Sequence, residues 1–149
     1  MSDPHDLATL RPRLIYLLNS LNLLARKSLD ERLKPFNLGG LQYTILALVR
    51  DREGISSAEL SRRFFVTPQT MNESVTALER RGLIARSESE ANKRILNSRI
   101  TDDGRALLDE CDQIADAVER DVFGDLSDSD QKMLHRMLRD QQLKMRTAG

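Results

Sequence analysis

The sequence contains few aromatic residues, one cysteine and no long apolar run. Four Phe, two Tyr and no Trp among 149 residues disfavour a protein that stacks single-stranded nucleic acid on aromatic rings. The single Cys cannot form a disulfide within the chain and is typical of a reducing compartment. No apolar run is long enough to cross a bilayer, and residues 1–11 carry charges and Pro4 rather than the apolar core of a signal peptide. We therefore expect a soluble cytoplasmic protein with no membrane partner, folded as one compact domain.

The sequence also lacks motifs for catalysis and for metal binding. The two histidines, His5 and His135, are far apart and have no Cys-rich or His-Glu spacing around them. No glycine-rich phosphate loop follows a predicted strand, and no Ser or Cys lies in a nucleophile elbow. Asp102 and Asp103 are expected in the first turn of a helix, where carboxylates stabilise the helix dipole. We predict no enzyme activity, no catalytic residue, no metal and no cofactor.

The net charge is zero, but the charges are segregated along the chain. Residues 62–99 hold eight basic and four acidic side chains, a net charge of +4. Residues 106–149 hold six basic and ten acidic side chains, a net charge of −4. A homodimer would double the positive surface. Because the patch is modest, we expect weak non-specific binding to nucleic acid and a reliance on base and shape contacts.

Residues 66–84 predict a short helix with one apolar face and one hydrogen-bonding face. Thr67 is a candidate N-cap, Pro68 suits the first helical position, and Gly82 supplies a left-handed stop. The apolar face has the spacing i, i+4, i+7 at Met71, Val75 and Leu78. The opposite face carries amides, hydroxyls and charges at Thr67, Gln69, Thr70, Asn72, Glu73, Thr76 and Arg80. Such groups can read base edges or hold phosphates, although a plain surface helix is also compatible with this pattern.

The segments on either side predict a winged helix-turn-helix. Upstream, Ser56 and Glu59 form a capping-box pattern for a helix that ends near Phe64, so only a tight turn separates two short helices. In that motif the second helix enters the major groove. Downstream, residues 83–87 and 96–100 read as two strands joined by a polar tip from which Lys93 and Arg94 project. A hairpin arm carrying Arg suits a narrow minor groove.

These motifs resemble the MarR family of bacterial transcriptional regulators. The resemblance is carried by Leu-Glu-Arg-Arg-Gly-Leu-Ile at residues 78–84, by the wing arginine Arg94, and by Thr-Asp-Asp-Gly at residues 101–104. The family usually has Asp where this chain has Asn92, and it often has a basic residue where this chain has Glu73. The resemblance implies a homodimer that binds pseudo-palindromic double-stranded DNA, usually as a repressor, and that a small aromatic or phenolic effector can release.

The expected site residues fall into three groups. Those expected in the major groove are Thr67, Pro68, Gln69, Thr70, Asn72, Glu73 and Thr76. Those expected on the wing or at phosphates are Asn92, Lys93, Arg94, Arg62, Arg63, Arg80 and Arg86. Residues near a possible effector pocket are Arg13, Tyr16, Phe36 and Tyr43, each of which is equally suited to core or surface.

The remaining segments predict helices that complete a mainly α fold with a small β-hairpin wing. Leucines from Leu7 to Leu24 alternate spacings of three and four, which is typical of a helix seam, and Pro12 suggests that the main helix begins at residue 11 or 12. A buried helix is expected over residues 40–50, a long helix after Thr101, and a last helix after Ser127. We assign residues 1–38 to an N-terminal dimerisation helix, 39–100 to the winged helix-turn-helix, and 101–149 to C-terminal dimerisation helices.

Two alternatives remain open at this stage. Glu73 and the neutral net charge are compatible with a winged-helix module that binds a protein partner instead of DNA. Cys111 could be a redox sensor, but its apolar helical neighbours and the acidic residues beside it favour a buried, structural cysteine.

Overall fold

A computed structural model describes residues 12–149, which form six α-helices, one 3-10 turn and three short strands. The elements are α1 (Leu14–Leu33), the 3-10 turn (Lys34–Phe36), α2 (Gly40–Asp51), β1 (Ile55–Ser56), α3 (Ser57–Phe64), α4 (Pro68–Arg80), β2 (Ile84–Glu88), β3 (Leu96–Ile100), α5 (Asp102–Phe123) and α6 (Asp128–Thr147). The predicted mainly α fold with a hairpin wing is confirmed. The leucine seam before Pro12, including Leu7 and Leu10, lies outside the described residues.

Polar N-caps set the start of four helices. The hydroxyls of Ser56, Thr67, Thr101 and Ser127 each accept a hydrogen bond from the amide three residues later, over 3.0–3.2 Å. Each such cap stabilises its helix by about 1 kcal/mol. The predicted start of α1 at residue 11 or 12 was two or three residues too early, because Arg13 is extended (ψ 148°) and the helix begins only at Leu14.

The end of α4 fixes where the wing begins. Gly82 has a φ of 72°, and its amide bonds to Glu79 O while the amide of Leu83 bonds to Leu78 O. This pair of bonds is a Schellman motif. Since Leu83 belongs to the cap, β2 starts at Ile84, one residue later than predicted.

The sheet has three antiparallel strands in the order β1-β3-β2. The predicted hairpin pairs Ile84 with Ile100 and Glu88 with Leu96. Strand β1, which pairs Ile55 with Ser98, was not predicted from the sequence. Two residues are too few to display the alternating pattern by which a strand is recognised.

The core lies behind α4 and receives side chains from α1, α2, α3 and α5. Its fully buried members include Leu33, Ile45, Leu46, Leu60, Met71, Val75, Leu78 and Leu108. All three predicted apolar positions of α4 are therefore in the core. A Cβ on Gly104 would lie 2.1 Å from the carbonyl oxygen of Leu83, so only glycine lets α5 begin this close to the wing.

The first and last helices, α1 and α6, expose large apolar side chains to solvent. Along α1, eight of them between Leu14 and Leu24 are 40–80% exposed. Along α6, whose residues are all described, no side chain is buried, and Met133, Met137, Leu138, Leu143 and Met145 are 43–72% exposed. Within residues 12–149, no helix is both long and apolar enough to span a membrane. Apolar surface of this extent marks an interaction site.

Candidate nucleic-acid interface

The polar face of α4 points away from the core. Six of the seven residues expected in the major groove are exposed: Thr67, Pro68, Gln69, Thr70, Asn72 and Glu73. The seventh, Thr76, is half-buried. This exposed row begins at the N-terminus of the helix, where free backbone amides and the helix dipole favour a phosphate.

Two contacts on this face orient polar groups before any ligand binds. The Thr67 hydroxyl, already the N-cap, also donates to Oγ1 of Thr70 over 3.0 Å. The side-chain amide of Gln69 donates from Nε2 to Oε1 of Glu73 over 3.3 Å. Gln69 therefore turns its carbonyl oxygen, an acceptor, away from Glu73.

Arg86 is fixed against α4. We expected its guanidinium at a phosphate, but it extends from β2 onto α4 and its side chain is only 10% exposed. Nη1 donates to Oδ1 of Asn72 over 3.1 Å, and Nη2 donates to Oγ1 of Thr76 and to Oε1 of Glu79, each over 3.0 Å. The hydrogen bond from Arg86 lowers the pKa of the Glu79 carboxyl, so this ion pair is present at neutral pH. Arg86 thus joins the wing to the helix.

The wing tip is a tight turn held by Asn92. Its side-chain Oδ1 accepts a hydrogen bond from the backbone amide of Arg94 over 3.0 Å, and its carbonyl accepts from Ile95 N over 2.9 Å. The side chains of Lys93 and Arg94 are exposed. An amide at position 92 therefore shapes the turn without placing a negative charge beside the two cations.

The other arginines expected at phosphates differ in their exposure and in their contacts with other residues. Arg62 on α3 and Arg80 on α4 are exposed. Arg63 is half-buried and pairs with Glu59 over 3.1 Å. Arg81, which the sequence analysis did not assign to any role, donates to the carbonyl oxygens of Phe36 and Asn37 over 2.9 and 2.6 Å. It ties the end of α4 to the turn that follows α1.

The four residues expected near an effector pocket do not form one pocket within the chain. A helix rises about 1.5 Å per residue, so Tyr16, near the start of α1, lies roughly 25 Å from Phe36, just beyond its end. Arg13 and Tyr16 are exposed, whereas Phe36 lines a shallow, open cleft of about 560 Å³ between α1 and α5 with Arg32 and Ile114. This separation follows from the length of the predicted helix, whereas which of the four residues face inward could not be predicted from the sequence.

Tyr43 instead belongs to a polar cluster that connects α2 with α5. Its hydroxyl donates to Oδ1 of Asp112 over 2.7 Å, and Arg50 Nη1 donates to Oδ2 of the same carboxylate over 2.6 Å. Burial would raise the pKa of Asp112, but the hydrogen bonds from Tyr43 and Arg50 outweigh it and hold this pKa below its usual value. Burial and the contact with Asp112 raise the pKa of Tyr43, which keeps its hydroxyl protonated.

Cys111 is fully buried beside this cluster. Burial, together with the charges of Glu110 and Asp112, raises the pKa of its thiol to about 11. The thiolate is the reactive form, so burial and the raised pKa disfavour a redox role and agree with the expected structural cysteine.

Comparison with known proteins identifies the same architecture elsewhere. The sequence model of the MarR family matches residues 36–95. The HTH-type transcriptional repressor Rv2887 of Mycobacterium tuberculosis is 33% identical over 123 residues, which cover 83% of this chain and 88% of that protein. Its crystal structure with p-aminosalicylic acid superposes with a TM-score of 0.73 at 32% identity, covering 87% of this chain and 98% of that one. Rv2887 has also been crystallised with salicylic acid.

A more distant structure shares the fold. Wild-type MarR from E. coli, in its apo form, superposes with a TM-score of 0.76 at 21% identity, covering 87% of this chain and 96% of the other.

Proposed function

This chain belongs to the MarR family, and we propose that it represses transcription as a homodimer that binds a pseudo-palindromic operator in double-stranded DNA. The observation that carries the proposal is the exposed polar face of α4, capped by Thr67 and flanked by the cationic wing. Relatives such as Rv2887 are transcriptional repressors, and MarR regulators bind DNA.

We propose that α4 lies in the major groove and the wing in the minor groove. Gln69, Thr70 and Asn72 read base edges, as amide and hydroxyl groups do in the major groove. Lys93 and Arg94 reach the adjacent minor groove, where a narrow A/T-rich segment attracts Arg. Arg62 and Arg80, both exposed, neutralise phosphates. Glu73 holds Gln69 in place and repels phosphates from the centre of the face, which restricts the sites accepted.

The dimer forms through the terminal helices. The exposed apolar side chains of α1 and α6 have no cover within the described chain, so a two-fold partner that packs against both helices would bury them. Leu138 lies on the apolar stripe of α6, and Leu138→Glu should therefore shift the protein toward monomer in sedimentation velocity. Arg139→Glu, a charged substitution at the neighbouring position, is the matched control. A dimer of unchanged stability in Leu138→Glu would contradict this assignment.

A small aromatic acid is the proposed effector. Rv2887 binds p-aminosalicylic acid and salicylic acid. Phe36 provides an aromatic wall in the cleft between α1 and α5, and Arg13 and Tyr16 would reach an effector only from the partner subunit. Titration calorimetry with salicylate tests this proposal, and Phe36→Ala should weaken binding.

Selection from a random duplex library tests the operator. The proposal predicts an enriched motif with two inverted half-sites, their centres about one helical turn apart or a multiple of it. Enrichment of a single, non-symmetric half-site would contradict binding to DNA as a dimer. No enrichment at all would favour the winged-helix module that binds a protein partner.

A further inference from the structure

The contact between Arg86 and Asn72 limits what Asn72 can offer to DNA. A guanidinium has only hydrogen-bond donors, so the atom of the Asn72 carboxamide that faces Nη1 of Arg86 at 3.1 Å must be the oxygen. The amide nitrogen then points the other way, toward the exposed side of α4. A free Asn can turn either its oxygen or its NH2 group toward DNA, whereas this one holds its oxygen against Arg86 and turns its NH2 donors outward.

Arg86 is itself well anchored, so the orientation it imposes is persistent. The same guanidinium bonds to Thr76 and Glu79, and its side chain is 10% exposed. Asn72, Thr76 and Glu79 are spaced i, i+4 and i+7, so they form one stripe of α4 that faces β2. Rotation of the Asn72 amide would place its NH2 group against a donor of Arg86 and leave that donor unpaired.

We infer that Arg86 determines base specificity through Asn72: it orients the amide so that its NH2 donors face the groove and favour guanine or thymine over adenine. A free Asn pairs with adenine through two bonds, giving one to N7 and taking one from N6. An Asn whose oxygen is held toward Arg86 loses the second bond, and its outward-facing donor meets the N6 amino group of adenine. Guanine offers N7 and O6 as acceptors, thymine offers O4, and cytosine offers only the N4 donor. The inference rests on the proposed function, since it assumes that α4 enters the major groove.

The test is a base-by-base measurement of relative affinity on the duplex selected by the wild-type protein. Each half-site position is changed to every base, and competition binding is measured for wild type and for Arg86→Met, which keeps the apolar stem but removes all donors. We expect the preference for adenine over guanine to rise about fivefold or more at one position of each half-site, with other positions unchanged. The double variant Arg86→Met/Asn72→Ala should show no such gain.

Arg99→Met is the matched control. Arg99 lies on the neighbouring strand β3, its side chain is exposed, and it is not among the residues assigned to the interface. It should leave the base profile unchanged while removing the same charge. Thermal unfolding of each variant verifies that it is folded.

Several outcomes would overturn the inference, and they differ from failure of the proposed function. If Arg86→Met weakens binding by one factor for every base, Arg86 is structural only. If the double variant still shows an increased preference for adenine over guanine, the effect of Arg86 does not depend on Asn72. Wild-type protein that shows no base preference at any position refutes DNA reading itself, and the inference with it.

If Arg86→Met does not fold, a second variant provides an independent test. Asn72→Asp keeps an oxygen toward Arg86 but turns a second oxygen, an acceptor, toward the DNA. The inference predicts a switch to cytosine, whose N4 group is a donor. A retained preference for guanine or thymine would overturn it.

Discussion

Replacing Asp112 with Asn is expected to lower the free energy of unfolding at neutral pH and to have little effect in acid. Asp112 accepts hydrogen bonds from Tyr43 and Arg50 and so joins α5 to α2, the helix that packs behind α4. Hydrogen bonds to a charged group contribute about 1.5–3 kcal/mol each when buried. The side chains of Arg50 and Asp112 are 26% and 32% exposed, so water screens the pair. Because Asn can still accept from Tyr43, we expect a loss of about 1–2 kcal/mol.

The pH dependence follows from the lowered pKa of Asp112 in the folded chain. A carboxyl whose folded pKa lies below its unfolded pKa stabilises the fold above the unfolded value, and this contribution is lost as the pH falls through the folded value. Asn does not titrate. The difference between wild type and variant should therefore be full at pH 7 and shrink below about pH 4, the unfolded pKa of Asp.

Urea denaturation followed by circular dichroism at pH 7 and in steps down to pH 3 measures this difference. Protein concentration is held fixed, because the proposed dimerisation would make apparent stability depend on it. Asp109→Asn, on an exposed position one turn earlier in α5, is the matched control and should change stability little. A loss that is independent of pH, or equal in the control, would refute the role of the carboxylate.

Three further predictions concern the interface and the thiol. Arg94→Ala should weaken DNA binding and reduce selectivity for A/T-rich flanks, measured by anisotropy on duplexes that differ only there; equal affinity and selectivity would exclude the wing assignment. Gln69→Ala should cost about 1–3 kcal/mol at one position of the operator, whereas a uniform loss across all sequences would make Gln69 a phosphate contact. Cys111 should resist peroxide and react with a thiol reagent at pH 8 only after the protein is unfolded, since burial raises its pKa to about 11; rapid labelling of the folded protein would contradict its structural role.

The local features of this fold could be predicted from the sequence because neighbouring residues determine them. Thr67 accepts from an amide three residues away, and Met71, Val75 and Leu78 share a face through helical periodicity alone. The Schellman turn at Gly82 is equally local. Such features need no knowledge of what the helix packs against.

The contacts that organise the site could not be predicted, because they depend on how distant segments pack. Arg86 and Arg62 are both arginines in the positive region, and the sequence does not indicate that only Arg86 lies against α4. Arg81 reaches back 44 and 45 residues to Asn37 and Phe36, and Tyr43 reaches 69 residues ahead to Asp112. Sequence periodicity does not predict these contacts. It does not predict β1 either, because Ile55 of β1 pairs with Ser98 on the distant strand β3.

Fluorescence anisotropy at several salt concentrations tests the central claim most directly. The protein is titrated onto the duplex upstream of its own gene and onto a random duplex of equal length. We predict tighter binding to the upstream duplex and an affinity that falls steeply as salt rises, with a slope that counts the phosphates neutralised. No binding to either duplex at low salt would contradict a DNA-reading function for α4 and its wing.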